Sequence, residues 1–124
     1  MLKDKNAFSS FTTDNLEKSR EFYEGILGLK VDMNEMGILE ITAGKTQFII
    51  YPKDNHEPAK FTVLNFEVED IKKSVDELAS KGITFEQYDD PIKTDKQGIF
   101  WSNPGPNIAW FKDNAGNILS LIEE

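Results

Sequence analysis

The fold is most legible in residues 108–122, Ile-Ala-Trp-Phe-Lys-Asp-Asn-Ala-Gly-Asn-Ile-Leu-Ser-Leu-Ile. Two apolar runs flank a short segment of Asp, Asn and Gly, a pattern typical of two strands joined by a tight turn. Gly116 can adopt a positive φ, and Asp113 can hydrogen-bond the backbone of the turn. Ser120 is the one polar side chain in 118–122. The last strand is therefore predicted to be buried on both faces.

Composition favours a cytoplasmic globular protein. The chain has 124 residues, of which 39% are hydrophobic and 29% charged, enough for one domain with a true core. No apolar run reaches the roughly 18 residues that span a membrane. Cysteine is absent, so disulfides and thiolate metal sites are excluded. The net charge of −8 argues against nucleic acid as a partner, and it serves either solubility or the attraction of a cationic small molecule.

Residues 7–52 have the pattern of one βαβββ unit. A strand is predicted at 8–13, and Asp14 or Asn15 then caps a helix whose apolar residues recur at helical spacing. Gly28 is the expected end of this helix. The three remaining strands of the unit are expected at 29–33, 38–42 and 47–51.

Residues 61–123 repeat that pattern after a polar, proline-flanked linker at 53–60. Asn15-Leu16-Glu17-Lys18-Ser19 is similar to Asp70-Ile71-Lys72-Lys73-Ser74, 55 residues later. Strands are expected at 61–68 and 83–87, a helix capped by Glu69 or Asp70 between them, and the hairpin of 108–122 at the end. Tyr88 to Asn107 breaks the symmetry and forms either a lid or a short extra strand. The predicted fold is α+β: one domain, 1–124, whose two βαβββ units form curved mixed sheets around a cleft.

Alternation along the strands predicts which side chains line this cleft. The lining is apolar with few polar groups, which is typical of small-molecule sites. We expect the ligand contacts to be Trp101, Trp110, Phe48, Ser10, Asn65, Glu67 and Ser120. The alternatives are that the two tryptophans plug the cleft or form a dimer interface, and that Phe48 packs in the core or in an interface. Asn65 and Ser120 could also be satisfied by each other or by water. His56, in the linker, is expected to be a surface residue.

These features resemble the vicinal oxygen chelate superfamily, which includes glyoxalase I, extradiol dioxygenases, and the fosfomycin and bleomycin resistance proteins. The resemblance rests on the paired units and on residues of the first helix, and it covers residues 7–123. It also rests on 110–117, Trp-Phe-Lys-Asp-Asn-Ala-Gly-Asn, which is similar to the family's Asp-Pro-Asp-Gly-Asn turn. Asn114 and Ala115 replace the Pro and Asp of that turn.

The resemblance implies four positions for metal ligands, at which the family's enzymes carry His, Glu or Gln. They fall on Phe8, on one of residues 48–50 with Ile49 at the centre, on Val63 and on Ser120. Apolar side chains supply no donor to a divalent cation. No metal and no other cofactor is therefore expected.

Three hypotheses about function follow. The first is a metal-free binding protein of the bleomycin-resistance type, which sequesters a flat or cationic small molecule between aromatic side chains. The second is a lyase or isomerase that uses Glu67 as a base, or a metal bound by Glu40, Glu67 or Glu86. The third is an interaction module with a filled cleft. In each case we expect a homodimer, because open sheets leave exposed edges.

Overall fold

The computed structural model describes all of residues 1–124, which divide into two units, 1–57 and 58–124. The division falls inside the predicted 53–60 linker. Each unit contains one four-stranded mixed sheet and one helical segment. The predicted α+β class, with two related units, is confirmed.

The first unit has the predicted order of elements. Its sheet has the strand order β1-β4-β3-β2, in which β1 and β4 are parallel and the other pairs antiparallel. The elements are β1 (Ser9–Thr13), α1 (Leu16–Arg20) continued by a π-helical segment (Glu21–Ile26), β2 (Lys30–Met33), β3 (Leu39–Ala43) and β4 (Thr46–Pro52).

Local hydrogen bonds set both ends of the first helical segment. Asn15, rather than Asp14, is the cap, and its Oδ1 accepts from the Lys18 N–H at 3.0 Å. At the other end the chain reverses at Gly28, with φ of +71°, and the Leu29 N–H donates to the Tyr23 carbonyl at 2.9 Å. The predicted end at Gly28 is correct.

The helical segment covers one face of the first sheet with aromatic side chains. Tyr23 is fully buried, with its ring 6.4 Å from Phe11 and 6.0 Å from Phe48. Phe48 is 3% exposed and stacks on Phe11 at 5.7 Å. Ser10 pairs with Ile49, so Phe48 points to the opposite face from Ser10. Phe48 is therefore a core residue, which corrects its assignment as a ligand contact.

The second unit departs from the prediction at one strand. Its order is β5-β8-β7-β6, with β5 parallel to β8 and the other pairs antiparallel. Its elements are β5 (Thr62–Glu67), α2 (Ile71–Ser80), β6 (Ile99–Phe100), β7 (Asn107–Lys112) and β8 (Ile118–Glu123). The strand predicted at 83–87 does not form, and the segment 88–107 instead contains the short strand β6.

Close packing of Gly98 against Phe85 explains why β6 forms and the strand predicted at 83–87 does not. Residues 83–87 lie beside β7, where the Glu86 N–H donates to the Trp110 carbonyl at 2.8 Å, but β6 pairs with Ile108 and Ala109 of the same strand. A Cβ on Gly98 would stand 2.6 Å from Phe85 Cβ, and Gly98 has φ of +88°. The chain thus folds back tightly on Phe85 and Glu86, and two short pieces share the edge that one strand was predicted to occupy.

One turn design occurs three times. It begins at Asn34, Asp95 and Asp113, and in each copy the side-chain Oδ1 accepts from the N–H groups two and four residues later. The residue three positions later is a glycine with positive φ. The copy at Asp113 joins β7 to β8 and confirms the predicted hairpin. It is also the most buried, because Asp113 is 7% exposed.

The core of the second unit lies between its sheet and α2. Of the two predicted caps, Asp70 rather than Glu69 caps α2, accepting from the Lys73 N–H at 3.1 Å, and Ile71 and Val75 of the helix are buried. The sheet contributes Ala109, Phe111, Leu119 and Leu121, which are buried at alternating positions. Neither helix of the chain has the length and apolar character needed to cross a membrane.

Candidate functional site

Alternation places a second set of side chains on the face of this sheet that α2 does not cover. We call it the open face, and it is formed by Asn65, Glu67, Phe100, Trp110, Ser120 and Ile122. Since Phe111 and Leu119 pack on the helix side, their neighbours Trp110 and Ser120 face the other way. Ser120 pairs with Trp110 on one side and with Asn65 on the other. The structure thus brings three predicted contacts into one row across three strands.

Trp110 is the centre of an aromatic cluster on the open face. The Tyr88 ring meets it edge-on, with ring centroids 5.4 Å apart, and the Phe100 ring lies 6.4 Å away at 32°. All three side chains are half-buried. Such a cluster offers apolar area and a π-face to a ligand. Tyr88 and Phe100 were not predicted.

The polar partner of this cluster is a hydrogen-bonded pair. Ser120 is fully buried, and its Oγ donates to Asn65 Oδ1 at 2.5 Å. The two side chains therefore satisfy each other by a hydrogen bond, which was one of the two alternatives, the other being satisfaction by water. Asn65 itself is exposed.

Charged groups border the open face on two sides. The exposed Glu67 follows Asn65 by two residues on β5 and therefore shares its face. Glu86, beside Trp110, is paired with Lys112 at 3.5 Å. Burial, and then the charge of Glu86, raise the pKa of Tyr88, while Lys112 acts in the opposite direction. The Tyr88 hydroxyl is therefore protonated and neutral near pH 7.

Trp101 is held apart from Trp110. It is 51% exposed, and its Nε1 donates to Asp95 Oδ2 at 2.8 Å. Burial alone would raise the pKa of Asp95, but hydrogen bonds from Trp101 and from the backbone N–H groups of Ile99 and Gln97 outweigh it and lower that pKa. The ionised Asp95 therefore stabilises the folded protein above the ordinary pKa of aspartate. This contribution is lost as the pH falls through the lowered pKa.

Alternation along 99–101 explains why Phe100 takes the place expected for Trp101. Ile99 pairs with Ala109 on the helix side, and Phe100 pairs with Ile108 on the open face. Only one of two consecutive side chains can share a face with Trp110. The apolar residues Ile99 and Phe100 were the signal in the sequence for a short strand, but its register follows only from the pairing with Ile108 and Ala109.

The remaining predicted contact, Ser10, lies in the first unit and is exposed. Its face of that sheet also carries Thr12, whose Oγ1 lies 2.6 Å from His56 Nδ1. His56 is half-buried. The prediction of a plain surface histidine is therefore wrong: the linker folds back, and the ring is held at the end of β1.

The four positions that the resemblance implies for metal ligands carry side chains that do not suit a metal. Of residues 48–50, Ile49 is the one that pairs with Ser10, and Phe8 at the first position is 67% exposed. Val63 lies at a register shift between Thr62 and Leu64, and Ser120 donates to Asn65. Three of the four side chains are hydrocarbon, so the set cannot coordinate a divalent cation. No group of three or more His, Asp and Glu side chains is placed to hold a metal elsewhere.

Comparison with known proteins agrees with this architecture. The family profile of the glyoxalase/bleomycin resistance protein/dioxygenase superfamily matches residues 8–121. The chain belongs to this superfamily. No curated protein sequence matches it significantly.

Solved structures of the superfamily share the fold at low sequence identity. A glyoxalase family protein from Enterococcus faecalis is 22% identical, with a TM-score of 0.70, over 99% of this chain and 100% of that one. Lactoylglutathione lyase from Agrobacterium tumefaciens is 20% identical, with a TM-score of 0.65, over 98% and 95%. The fosfomycin resistance protein FosX from Mesorhizobium loti is 12% identical, with a TM-score of 0.66, over 98% and 92%. At these identities the likeness establishes the fold alone.

Proposed function

We propose that this superfamily member is a binding protein that sequesters a planar, cationic small molecule on the open face of its second unit, without a metal. The observation that carries the proposal is Trp110, flanked by Tyr88 and Phe100 on a face that also bears the exposed Glu67. Three of the four positions that the resemblance assigns to metal ligands hold hydrocarbon side chains, which supports binding through aromatic and polar groups.

The chemistry of these groups suits such a ligand. A planar ring laid on Trp110 gains apolar burial, and tryptophan is the strongest cation–π partner among the side chains. Glu67 supplies an opposite charge two residues from Asn65, and the net charge of −8 attracts cations from a distance. The neutral Tyr88 hydroxyl adds no opposing charge.

Tryptophan quenching tests the proposal with a matched pair of variants. In Trp101→Phe, Trp110 is the only tryptophan, and we expect 1-methylquinolinium to quench it saturably. In Trp110→Phe, Trp101 is the only reporter, and we expect the affinity measured by calorimetry to fall at least about tenfold, as for a central aromatic contact. Equal affinities in the two variants, or a linear, unsaturable response of Trp110, would contradict the proposal.

The alternative of a lyase or isomerase has weaker support. Glu86 is engaged by Lys112, and Glu40 lies in the first unit, where it accepts from Asn34 at 3.4 Å. Glu67 remains as an exposed carboxylate whose side chain has no hydrogen bond or ion pair with a second acid or base. General acid–base catalysis needs a positioned partner for each proton. The open face therefore supports binding better than chemistry.

The proposal includes a cytoplasmic homodimer. Three edge strands, β1 and β2 in the first unit and β5 in the second, can pair with another chain, whereas the outward backbone groups of β6 at Ile99 are engaged by Asp95. Light scattering should therefore give twice the chain mass of 14.1 kDa. A mass equal to that of one chain would remove the dimer from the proposal and leave the binding function in place.

A further inference from the structure

The orientation of the Asn65 amide is fixed by Ser120. Ser120 Oγ is buried, and its recorded partner is Asn65 Oδ1, at 2.5 Å. A buried hydroxyl hydrogen without an acceptor is costly, and no buried side-chain polar atom of the protein lacks a partner. The hydroxyl therefore donates, and the amide oxygen accepts. A flipped amide would place its own N–H groups against Ser120 and leave the hydroxyl hydrogen without that acceptor.

This orientation leaves the donors of the amide facing outward. An asparagine side chain has one acceptor oxygen and an NH₂ group with two donors. The oxygen is engaged by Ser120, whereas Asn65 Nδ2 has no partner within the protein, and Asn65 is exposed. The open face thus presents two neutral hydrogen-bond donors at a fixed position.

The sheet sets the distance from these donors to the aromatic cluster. Asn65 and Trp110 flank Ser120 on neighbouring strands, so their backbones are two strand spacings apart, about 10 Å. A fused two-ring system resting on Trp110 covers most of that distance. Glu67, about 7 Å further along β5, disfavours a negatively charged group at Asn65. The acceptor that fits is therefore a neutral oxygen.

We infer that the open face selects planar aromatic cations that carry a carbonyl oxygen, which accepts from the Asn65 amide while the ring lies on Trp110. Ser120 is the positioning residue that keeps the amide in the donating orientation. This inference rests on the proposed binding function and adds the functional group by which the ligand is recognised. It assigns a role to the two polar residues at a site where the family's enzymes hold a metal ligand.

The test compares two probes that differ by one carbonyl group. They are 1-methylquinolinium and 3-acetyl-1-methylquinolinium, which share ring and charge. In the unmodified protein we expect the acetyl compound to bind about two- to tenfold more tightly, the range of one net hydrogen bond. Affinities are measured by calorimetry and by quenching in the Trp101→Phe background.

Three variants locate the origin of that ratio. Asn65→Asp retains an acceptor for Ser120 but removes the donors, and we expect the ratio to fall to one or below, even though the added charge strengthens the binding of both cations. Ser120→Ala frees the amide to rotate and should reduce the ratio. Asn55→Asp adds the same charge at an exposed position of the first unit and should preserve the ratio.

The outcomes distinguish the inferred recognition of a carbonyl group from the proposed binding function. Equal affinities for the two probes, or a ratio that survives in Asn65→Asp, would overturn the inference while the binding function stands. Binding of neither probe would overturn both the inference and the proposed function. A ratio lost in Asn65→Asp and retained in Asn55→Asp supports the inference.

Discussion

Replacing Asp113 by alanine is expected to lower the free energy of unfolding by about 3–5 kcal/mol, because hydrogen bonds to a charged acceptor contribute about 1.5–3 kcal/mol each and are not fully additive. Asp113 accepts from the N–H groups of Ala115 and Asn117 at 2.8 and 2.9 Å, and from Asn117 Nδ2 at 2.9 Å. Both Asp113 and Asn117 are buried. Urea unfolding with linear extrapolation measures the loss.

The other copies of this turn supply the control. Asp95 makes the same two backbone hydrogen bonds, but it is exposed, and water can replace them. We expect Asp95→Ala to cost no more than about 1 kcal/mol, as for most substitutions at the surface. If the two substitutions destabilise equally, burial is not the cause of the Asp113 effect. Asp113→Asn, which introduces the residue type that the Asn34 copy already uses, should fall between the two.

Replacing Phe111 by alanine is expected to cost about 3–5 kcal/mol, as for other fully buried phenylalanines. The Phe111 ring is fully buried and meets Phe85 edge-on at 5.5 Å, so its removal leaves a cavity between the sheet and α2. The neighbouring Trp110→Ala is the matched control. Since Trp110 is half-buried on the open face, we expect it to cost about 1–2 kcal/mol.

For ligand affinity we expect the reverse order, with the larger loss in Trp110→Ala and the smaller one in Phe111→Ala. Trp110→Ala should abolish measurable binding of 1-methylquinolinium, and folded Phe111→Ala should bind it within about threefold of the unmodified protein, because one change removes a contact and the other only a core side chain. A Trp110→Ala protein that is as unstable as Phe111→Ala would show that Trp110 is a core residue, and the open face would lose its central group.

The sequence predicts the parts of the fold that follow from local rules. The turn at Asp113 and the positions of the two helix caps depend on neighbouring residues, and the structure has the turn as predicted and a cap, Asn15 or Asp70, from each predicted pair. Alternation along the strands correctly separated Trp110 and Ser120 from Phe111. These predictions needed no knowledge of how distant segments pair.

The errors come from register and from packing between distant segments. The facing of Phe48 depends on its pairing with β1, and a shift of one residue reverses it. The same holds for β6, which has only two residues: its register decides whether Phe100 or Trp101 lies on the open face. Residues 83–87 have the composition of a strand, but Gly98 packs against them and β6 pairs with β7. The contact between His56 and Thr12 joins residues 44 positions apart, and no local pattern of the sequence predicts it.

The aromatic cluster divides into a floor and walls of different architecture. Trp110 belongs to a strand that is paired on both sides, whereas Tyr88 lies in a segment outside the regular strands and is held by mutual bonds with Thr94. Loop segments tolerate substitution and insertion far better than central strands. Evolution or a designer can therefore reshape the wall around a new ligand by altering 88–94, while the sheet keeps the floor in register.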